Sequence, residues 1–542
     1  MIGKIEQKAI EWRRVIYCFM FGVVLFMHFY KLASVPLGIH IDEAGMAYDA
    51  YCLADYSVDR YLNHLPVYLI NFGGGQSALN AYLVAALIKL TGNLNTWIIR
   101  LPGAFIGIFS YIAGVNIIRK CFGGEKWGLV SSFLLAIFPY FIMQSRFGLD
   151  CNLLLGISTI GLYLLILADE KKKAYMYILA GVVWGISYYT YALSYLTSTL
   201  FLGILLCYWL YRKRITWKNL FFFGIPVFLI ACPLLLMVII NTFDLPQINT
   251  PLFTIPRLPN YRNKDIIFTK MWDNLCITIK YILTKDWLSY NAFDKYFTMY
   301  RISIVFAVVG FFRLSADMIK NLFRREYSSH IIFWLLLIIY LFLGTLLGDD
   351  GPNINRLNGI FFALFYCVLY GMKYSYIFLK EKLQANKGKD TLAGLVSTIP
   401  EAPGKIALLV IIIYTFYFVT FANYYFNKYP EDIYPQDYFA DTYKKITDFI
   451  ETDTGEPKVV YTNMSYIYYL LSEKVDPFEA DIGNKGTRTY WKYAFYLPQD
   501  IETGVIYIIN NTDEGTLEYM DKLESMGFDK YVSGMLICYY KK

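Results

Sequence analysis

Charge is scarce in this chain, and most signatures of cofactor or metal chemistry are missing. Only 17% of its 542 residues are Asp, Glu, Lys or Arg. The nine cysteines are scattered, several inside apolar runs, and no CxxC pair occurs, which argues against a disulfide framework or a zinc ribbon. There is no Walker-type loop and no GxSxG elbow. The triplet Gly73-Gly74-Gly75 is not followed by a lysine-bearing phosphate loop, so its expected role is backbone freedom ahead of the next helix. A removable signal peptide is not evident either. The first apolar run is long and lacks a small-residue cleavage site, so it should remain as a span.

What is abundant is apolar surface. Hydrophobic residues make up 57% of the chain and mean hydropathy is +0.39, outside the range of soluble globular domains. The fold class expected is a polytopic α-helical membrane protein. Runs near the roughly 20 residues that span a bilayer recur at 15–30, 98–118, 127–143, 153–168, 175–191, 195–211, 220–240, 302–314, 331–347, 357–374 and 406–425. The run 302–314 is short and needs flanking residues to cross.

Lysine and arginine set the expected orientation, because cytoplasmic loops carry the basic excess. Basic clusters fall on alternate loops: Lys4 to Arg14, Arg119 to Lys126, Lys171 to Lys173, Arg212 to Lys218, Lys320 to Arg325 and Lys380 to Lys405. All lie inside if the short segment Ser77 to Thr91, with Asn80 and Lys89, forms an amphipathic helix at the interface rather than a span. The net charge of +7 is accounted for largely by these loops, so it carries no nucleic-acid inference.

About eleven spans then put the N-terminus inside and the C-terminus outside. The extracytoplasmic parts are the loop Pro36 to Asn95, the loop Asn241 to Tyr300, the turn Asp349 to Arg356 and the tail from Phe426. The expected domains are 1–425, membrane-embedded with extracytoplasmic loops 36–95 and 241–300, and 426–542. The tail reads as a small α/β domain, with strands at Val459 to Thr462, Val505 to Ile509 and Met535 to Tyr540 and a helix at Glu514 to Met526.

Against this background the acidic pair Asp42-Glu43, just past the first span, is the leading site candidate. Neighbours on a helix point about 100° apart, so the two carboxylates should not address one atom. His40 and His64 share their loop. A lone loop histidine is more often structural than catalytic, and although two histidines with two carboxylates could bind a metal, no ligand spacing supports one. Arg100, Arg146, Asp150 and Arg356 flank the outer ends of spans, where charge is costly and pairs up or lines a polar cavity. An Arg146 with Asp150 ion pair would merely fix a turn; an anionic lipid headgroup would match the arginine fork. Tyr191 ends the run Tyr188-Tyr189-Thr190-Tyr191, which reads first as an interfacial aromatic belt and second as a ligand contact.

The ordered set His40-Ile41-Asp42-Glu43-Ala44, Gly73 to Tyr82, Leu90-Thr91-Gly92 and Arg100-Leu101-Pro102 resembles the opening of GT-C glycosyltransferases related to protein O-mannosyltransferases and the aminoarabinose transferase of lipid A. Ser145-Arg146 and Asn355-Arg356 are similar in placement. The resemblance implies sugar transfer from a polyprenyl-phosphate donor to an extracytoplasmic hydroxyl, on a protein, a lipid-linked glycan or a cell-wall polymer, in the cytoplasmic membrane. It gives Asp42 the role of base, leaves Glu43 to orient the loop, bind a cation or contact acceptor, and gives Arg100, Arg146 or Arg356 the donor phosphate. No cofactor is certain and a divalent cation stays open. Where relatives often carry a lysine or acid before the interfacial helix, this chain has Gln76-Ser77, so a headgroup contact there is changed. A phosphate leaving group needs no proton, so one carboxylate and nearby cations suffice, unlike a glycosidase with its two carboxyls. The competing class is a transporter or flippase of lipid-linked glycans, whose functional charges belong near the bilayer midplane on broken helices.

Overall fold

Each of the eleven apolar runs forms helix. The structure, a computed structural model, describes residues 2–261, 268–288, 290–348, 351–386, 401–431, 439–440, 443–453, 458–510 and 514–541. The start of the Asp349 turn and the stretch 387–400 of the last basic cluster lie outside the described residues.

Six helices are long and apolar enough to cross a membrane: Thr96–Gly123, Asn152–Lys171, Ser194–Tyr211, Trp217–Thr242, Asn358–Ala385 and Ala402–Lys428. Glu125–Ile137 and Pro139–Arg146 make a seventh if counted together across their 62° bend. The bend has a local cause, since a residue before proline avoids the helical region and Phe138 sits at φ −69°, ψ 130°. The other four expected spans fall short of this measure. Ala174–Ser187 and Ile331–Leu346, with 14 and 16 residues, reach about 21 and 24 Å against a hydrocarbon core of about 30 Å. Ile2–Phe29 (α1) begins with charged sequence, and Ser303–Phe323 carries Arg313, Asp317 and Lys320. Only 11% of the apolar window of Ala402–Lys428 is buried, so that helix presents its side chains to lipid. This is an integral membrane protein.

Segment 77–91 is helical as expected, over Leu79–Thr91 (α3), capped by Gly92 in the left-handed region. The glycine triplet does more than loosen the chain. Tyr68–Asn71 (β1) and Gly74–Ser77 (β2) form an antiparallel hairpin whose two turn residues, Phe72 and Gly73, both take positive φ, as a type I′ turn requires. The described residues of the 241–300 loop form more than a connector. They include a helix, Met271–Leu283, tied to Ile331–Leu346 by Asn274 Nδ2 donating to the carbonyls of Thr345 (3.3 Å) and Leu347 (2.7 Å).

After the last long helix the chain builds a six-stranded sheet, ordered 529–533, 536–540, 506–510, 460–462, 493–494, 489–490. Strand 460–462 runs parallel to both neighbours, 506–510 and 493–494. Helix Glu514–Ser525 lies between strands, matching the expected α/β pattern. This sheet unit packs on helix Ile41–Tyr56 (α2): Tyr48 and Tyr51 donate to the carbonyls of Val475 and Lys474, both at 2.9 Å. Residues Phe439–Ala440 pair with Ile39–His40, and Tyr468 Oη donates to Ile39 O at 3.2 Å. The acidic helix is therefore strapped at both ends.

Candidate active site

Helix α2 starts where its sequence says it should. His40 is the N-cap, its Nδ1 accepting from Asp42 N at 3.2 Å, and Asp42 and Glu43 occupy the first turn, where the helix dipole favours negative charge. Since Nδ1 accepts, it carries no proton there. Its 3.8 Å approach to Asp42 Oδ2 is a contact rather than an ion pair, and burial pushes His40 toward neutrality despite the two carboxylates beside it. Small residues let other groups come close to α2. A Cβ on Gly45 would meet Asn71 Oδ1 at 2.7 Å and Arg60 Nη2 at 2.8 Å.

The two acids part company at once. Asp42 keeps 43% of its side chain exposed, with Asn71 Nδ2 donating to Oδ1 at 3.1 Å and Gln76 Nε2 reaching its main-chain carbonyl at 3.3 Å. Hairpin β1–β2 thus holds Asp42 from one side. Glu43 is fully buried and accepts three bonds: Arg100 Nε at 3.0 Å, Arg100 Nη2 at 3.2 Å and Gly148 N at 2.8 Å.

Arg100 completes its five donors on Leu32 O (3.2 Å), Pro36 O (2.7 Å) and Gly38 O (2.5 Å). All five of its N–H groups are thus engaged within the protein, not turned to a donor phosphate. Arg146 is buried too. It gives Nη1 to Met27 O and Nη2 to Tyr30 O and Val35 O at 2.6 to 3.0 Å, and lies over the rings of Tyr425 and Phe426. The Arg146 with Asp150 pair does not form. Both arginines are drawn to the chain leaving α1, whose last carbonyls have no helical partner.

Asp150 lies close enough to Asp42 to feel its charge. Its oxygens accept from Ser77 N (3.0 Å) and Cys151 N (2.8 Å), while burial and the neighbouring Asp42 charge push its carboxyl up to about 7. Tyr191 lies close enough to Asp150 and Arg356 for both charges to act on its hydroxyl. Arg356 is mostly buried and gives Nη1 to Gly351 O at 3.3 Å. His64 is exposed, its backbone tied to Val58 and Thr254 rather than to the acids.

Three contributors were not singled out from sequence. Asn71 holds Asp42, and Tyr290 stands between His40 and Phe147, with ring centroids at 5.5 and 5.3 Å, close enough to feel the Asp42 charge. Asp286 fixes the Arg356 loop by accepting from Ile354 N at 2.7 Å. Composition offered one usable signal, a buried-type Asp amid aromatics at 286–290; tyrosine is too common here for Tyr290 to stand out. Among the described residues no three His, Cys, Asp or Glu converge as a metal-holding group.

Asp150 carries a pH signature. A carboxyl near 7 when folded and near 3.8 when free binds more protons folded than unfolded, so its contribution falls as pH rises from about 4 to about 7. Asp150→Asn should shrink the difference in melting midpoint between pH 5 and pH 8, measured on purified protein. An unchanged difference would mean that Asp150 ionises normally.

Comparison with known proteins agrees with this architecture. Residues 76–237 match the family model described as dolichyl-phosphate-mannose-protein mannosyltransferase. ArnT from Cupriavidus metallidurans bound to undecaprenyl phosphate is similar over 97% of this chain and 97% of its own, at 11% identity and a TM-score of 0.54. Its apo state gives 0.51 over 98% of each chain at 11% identity. The oligosaccharyltransferase AglB from Archaeoglobus fulgidus, in complex with an inhibitory peptide and a dolichol-phosphate, gives 0.45 at 10% identity over 86% of this chain and 64% of its own. No curated protein sequence matches the chain. The fold is GT-C. Within that fold the chain is similar to ArnT over nearly its whole length, and residues 76–237 carry the match to the mannosyltransferase family model.

Proposed function

We propose that this protein is a membrane glycosyltransferase that moves a sugar from a polyprenyl-phosphate donor to an acceptor hydroxyl. The observation that carries the reading is the pairing of unlike acids. Asp42 is partly exposed at the start of α2, near enough to Asp150 for its charge to help hold that carboxyl near 7, and Tyr191 in turn feels both Asp150 and Arg356. The family-model match over 76–237 and the similarity to an ArnT bound to undecaprenyl phosphate support the donor class.

In this mechanism Asp42 takes the proton of the attacking hydroxyl. The acceptor oxygen bonds to the anomeric carbon as the bond from that carbon to the phosphate oxygen breaks, and the lipid phosphate departs without needing a proton. A single displacement inverts the anomeric centre. Of the three expected arginines Arg356 is the one whose charge acts on Tyr191, the tyrosine that also feels Asp150, so it meets the phosphate, with Tyr290 and Tyr191 as further walls. Asp150, protonated near neutrality, keeps a second negative charge away from Asp42. The alternation of basic clusters supports an extracytoplasmic position, at the cytoplasmic membrane, for this pocket and the 426–542 domain.

The test is transfer and donor binding by purified protein across a panel of polyprenyl-phosphate sugars, with Arg356→Ala beside Arg325→Ala. Arg325 follows the helix Ser303–Phe323 and its C-cap Arg324, in a basic cluster expected on the opposite face. Arg356→Ala should weaken donor binding by about 10-fold or more, the cost of a lost charge-assisted bond, and Arg325→Ala should not. Equal affinity in both would remove Arg356 from the site. Donor-stimulated movement of lipid-linked sugar across vesicles without turnover would overturn the enzyme reading in favour of a transporter.

A further inference from the structure

A wide cleft lies away from Asp42, at the other end of α2. It encloses about 910 Å³ between Tyr56 of α2 and the segments 469–491 of the sheet unit. Four aromatic rings line it, Tyr56, Tyr469, Tyr490 and Trp491, together with the carboxylates Glu473, Asp476 and Glu479. Val475 is the one aliphatic side chain in the lining. Lys474 and Lys485 bring two cations against three acids, which disfavours an anionic headgroup.

Trp491 is the telling residue. It sits in the turn between strands Thr489–Tyr490 and Tyr493–Ala494, at φ 49°, a left-handed conformation that turns normally give to Gly or Asn. It is 66% exposed, so packing against the core does not repay that strain. A large ring held outward beside carboxylates suits a pyranose: the ring face meets the C–H face of the sugar, and carboxylate oxygens accept from its hydroxyls. An apolar peptide would be poorly held, with Val475 the one aliphatic side chain in the lining.

We propose that this cleft binds a neutral oligosaccharide, the body of an extended acceptor whose terminal hydroxyl reaches Asp42. The proposal rests on the glycosyltransferase reading and names its acceptor class. Asp42 and Tyr56 are 14 residues apart on α2, about 21 Å along its axis, so an acceptor engaging both must be several sugars long. Tyr48 and Tyr51, bonded to Val475 and Lys474, fix the cleft relative to the acids.

The test is binding of the full chain, in nanodiscs free of sugar-headed detergent, to an array of neutral oligosaccharides of graded length and of unstructured peptides. Wild-type protein and Asp42→Asn should bind the longer oligosaccharides alike. Trp491→Ala and Glu479→Gln, both at exposed positions, should bind about tenfold more weakly or worse, at unchanged melting midpoint. Retention of no oligosaccharide, unchanged binding by both cleft variants, or preference for peptides would each overturn the proposal. Binding is read without turnover. A chain that binds oligosaccharide yet transfers no sugar from any donor would keep the cleft and refute the transferase; transfer without such binding would do the reverse.

Discussion

Asp42→Asn should abolish sugar transfer, by about 10²- to 10⁴-fold in kcat, the usual worth of a positioned general base, while leaving the protein folded. Asparagine keeps the shape and still offers Oδ1 to Asn71 Nδ2, and the side chain is partly exposed, so little stability is at stake. Asn71→Ala makes the complementary case. It removes the group that aims Asp42, not the carboxylate, so its loss should be smaller and the pH profile should keep its shape. Transfer by purified protein, with melting midpoints for each variant, checks both. If Asp42→Asn retained activity, the base would have to be sought elsewhere, with Asp150 first in line.

Much of this arrangement could be read in the sequence for one reason: charge is so rare in an apolar chain that each charged residue near a span end is conspicuous. Hydropathy located the helices, because a crossing segment must satisfy its backbone internally over about 20 residues. Alternation located strands 460–462, 506–510 and 536–540. Span count was less legible, since Ala174–Ser187 and Ile331–Leu346 are apolar enough but short, and length belongs to helix ends that hydropathy blurs.

The hairpin that supports Asp42 was hidden by its turn. Phe72-Gly73 lacks the Asn or Asp that usually announces a type I′ turn, so the glycines read as slack instead of register. The arginines were hidden by direction. Sequence shows that Arg100 and Arg146 stand near span ends, but not that the backbone leaving α1 exposes carbonyls at Met27, Tyr30, Leu32, Val35, Pro36 and Gly38 that consume them. An orphan carbonyl is invisible until the path of the chain is known.

The same bonds set the largest stability effect. Glu43→Ala should lower stability by about 3–5 kcal/mol, because it strands a buried Arg100 cation without its counter-charge. Gly148 N, which gives its proton to Glu43 Oε1, loses its acceptor as well. Arg100→Met should cost a similar amount from the other side, freeing three carbonyls and leaving Glu43 with the Gly148 bond. The double variant Glu43→Ala with Arg100→Met should then cost less than the sum, with a coupling of about 0.5–3 kcal/mol, since the second substitution removes the stranded charge. Thermal or denaturant unfolding of the four proteins measures it. Strict additivity would mean that the two groups do not act as a pair. Activity should fall as well in Glu43→Gln, without a change in the shape of the pH profile. Glu43 anchors the first turn of α2 to the 147–151 turn and to the chain after α1, so loosening it displaces its neighbour Asp42. Misplacement of a reacting group by about 1 Å costs on the order of 10²-fold in rate. In the proposed mechanism the second acid of the pair works by holding the first in place, and its exposure to substrate is not required.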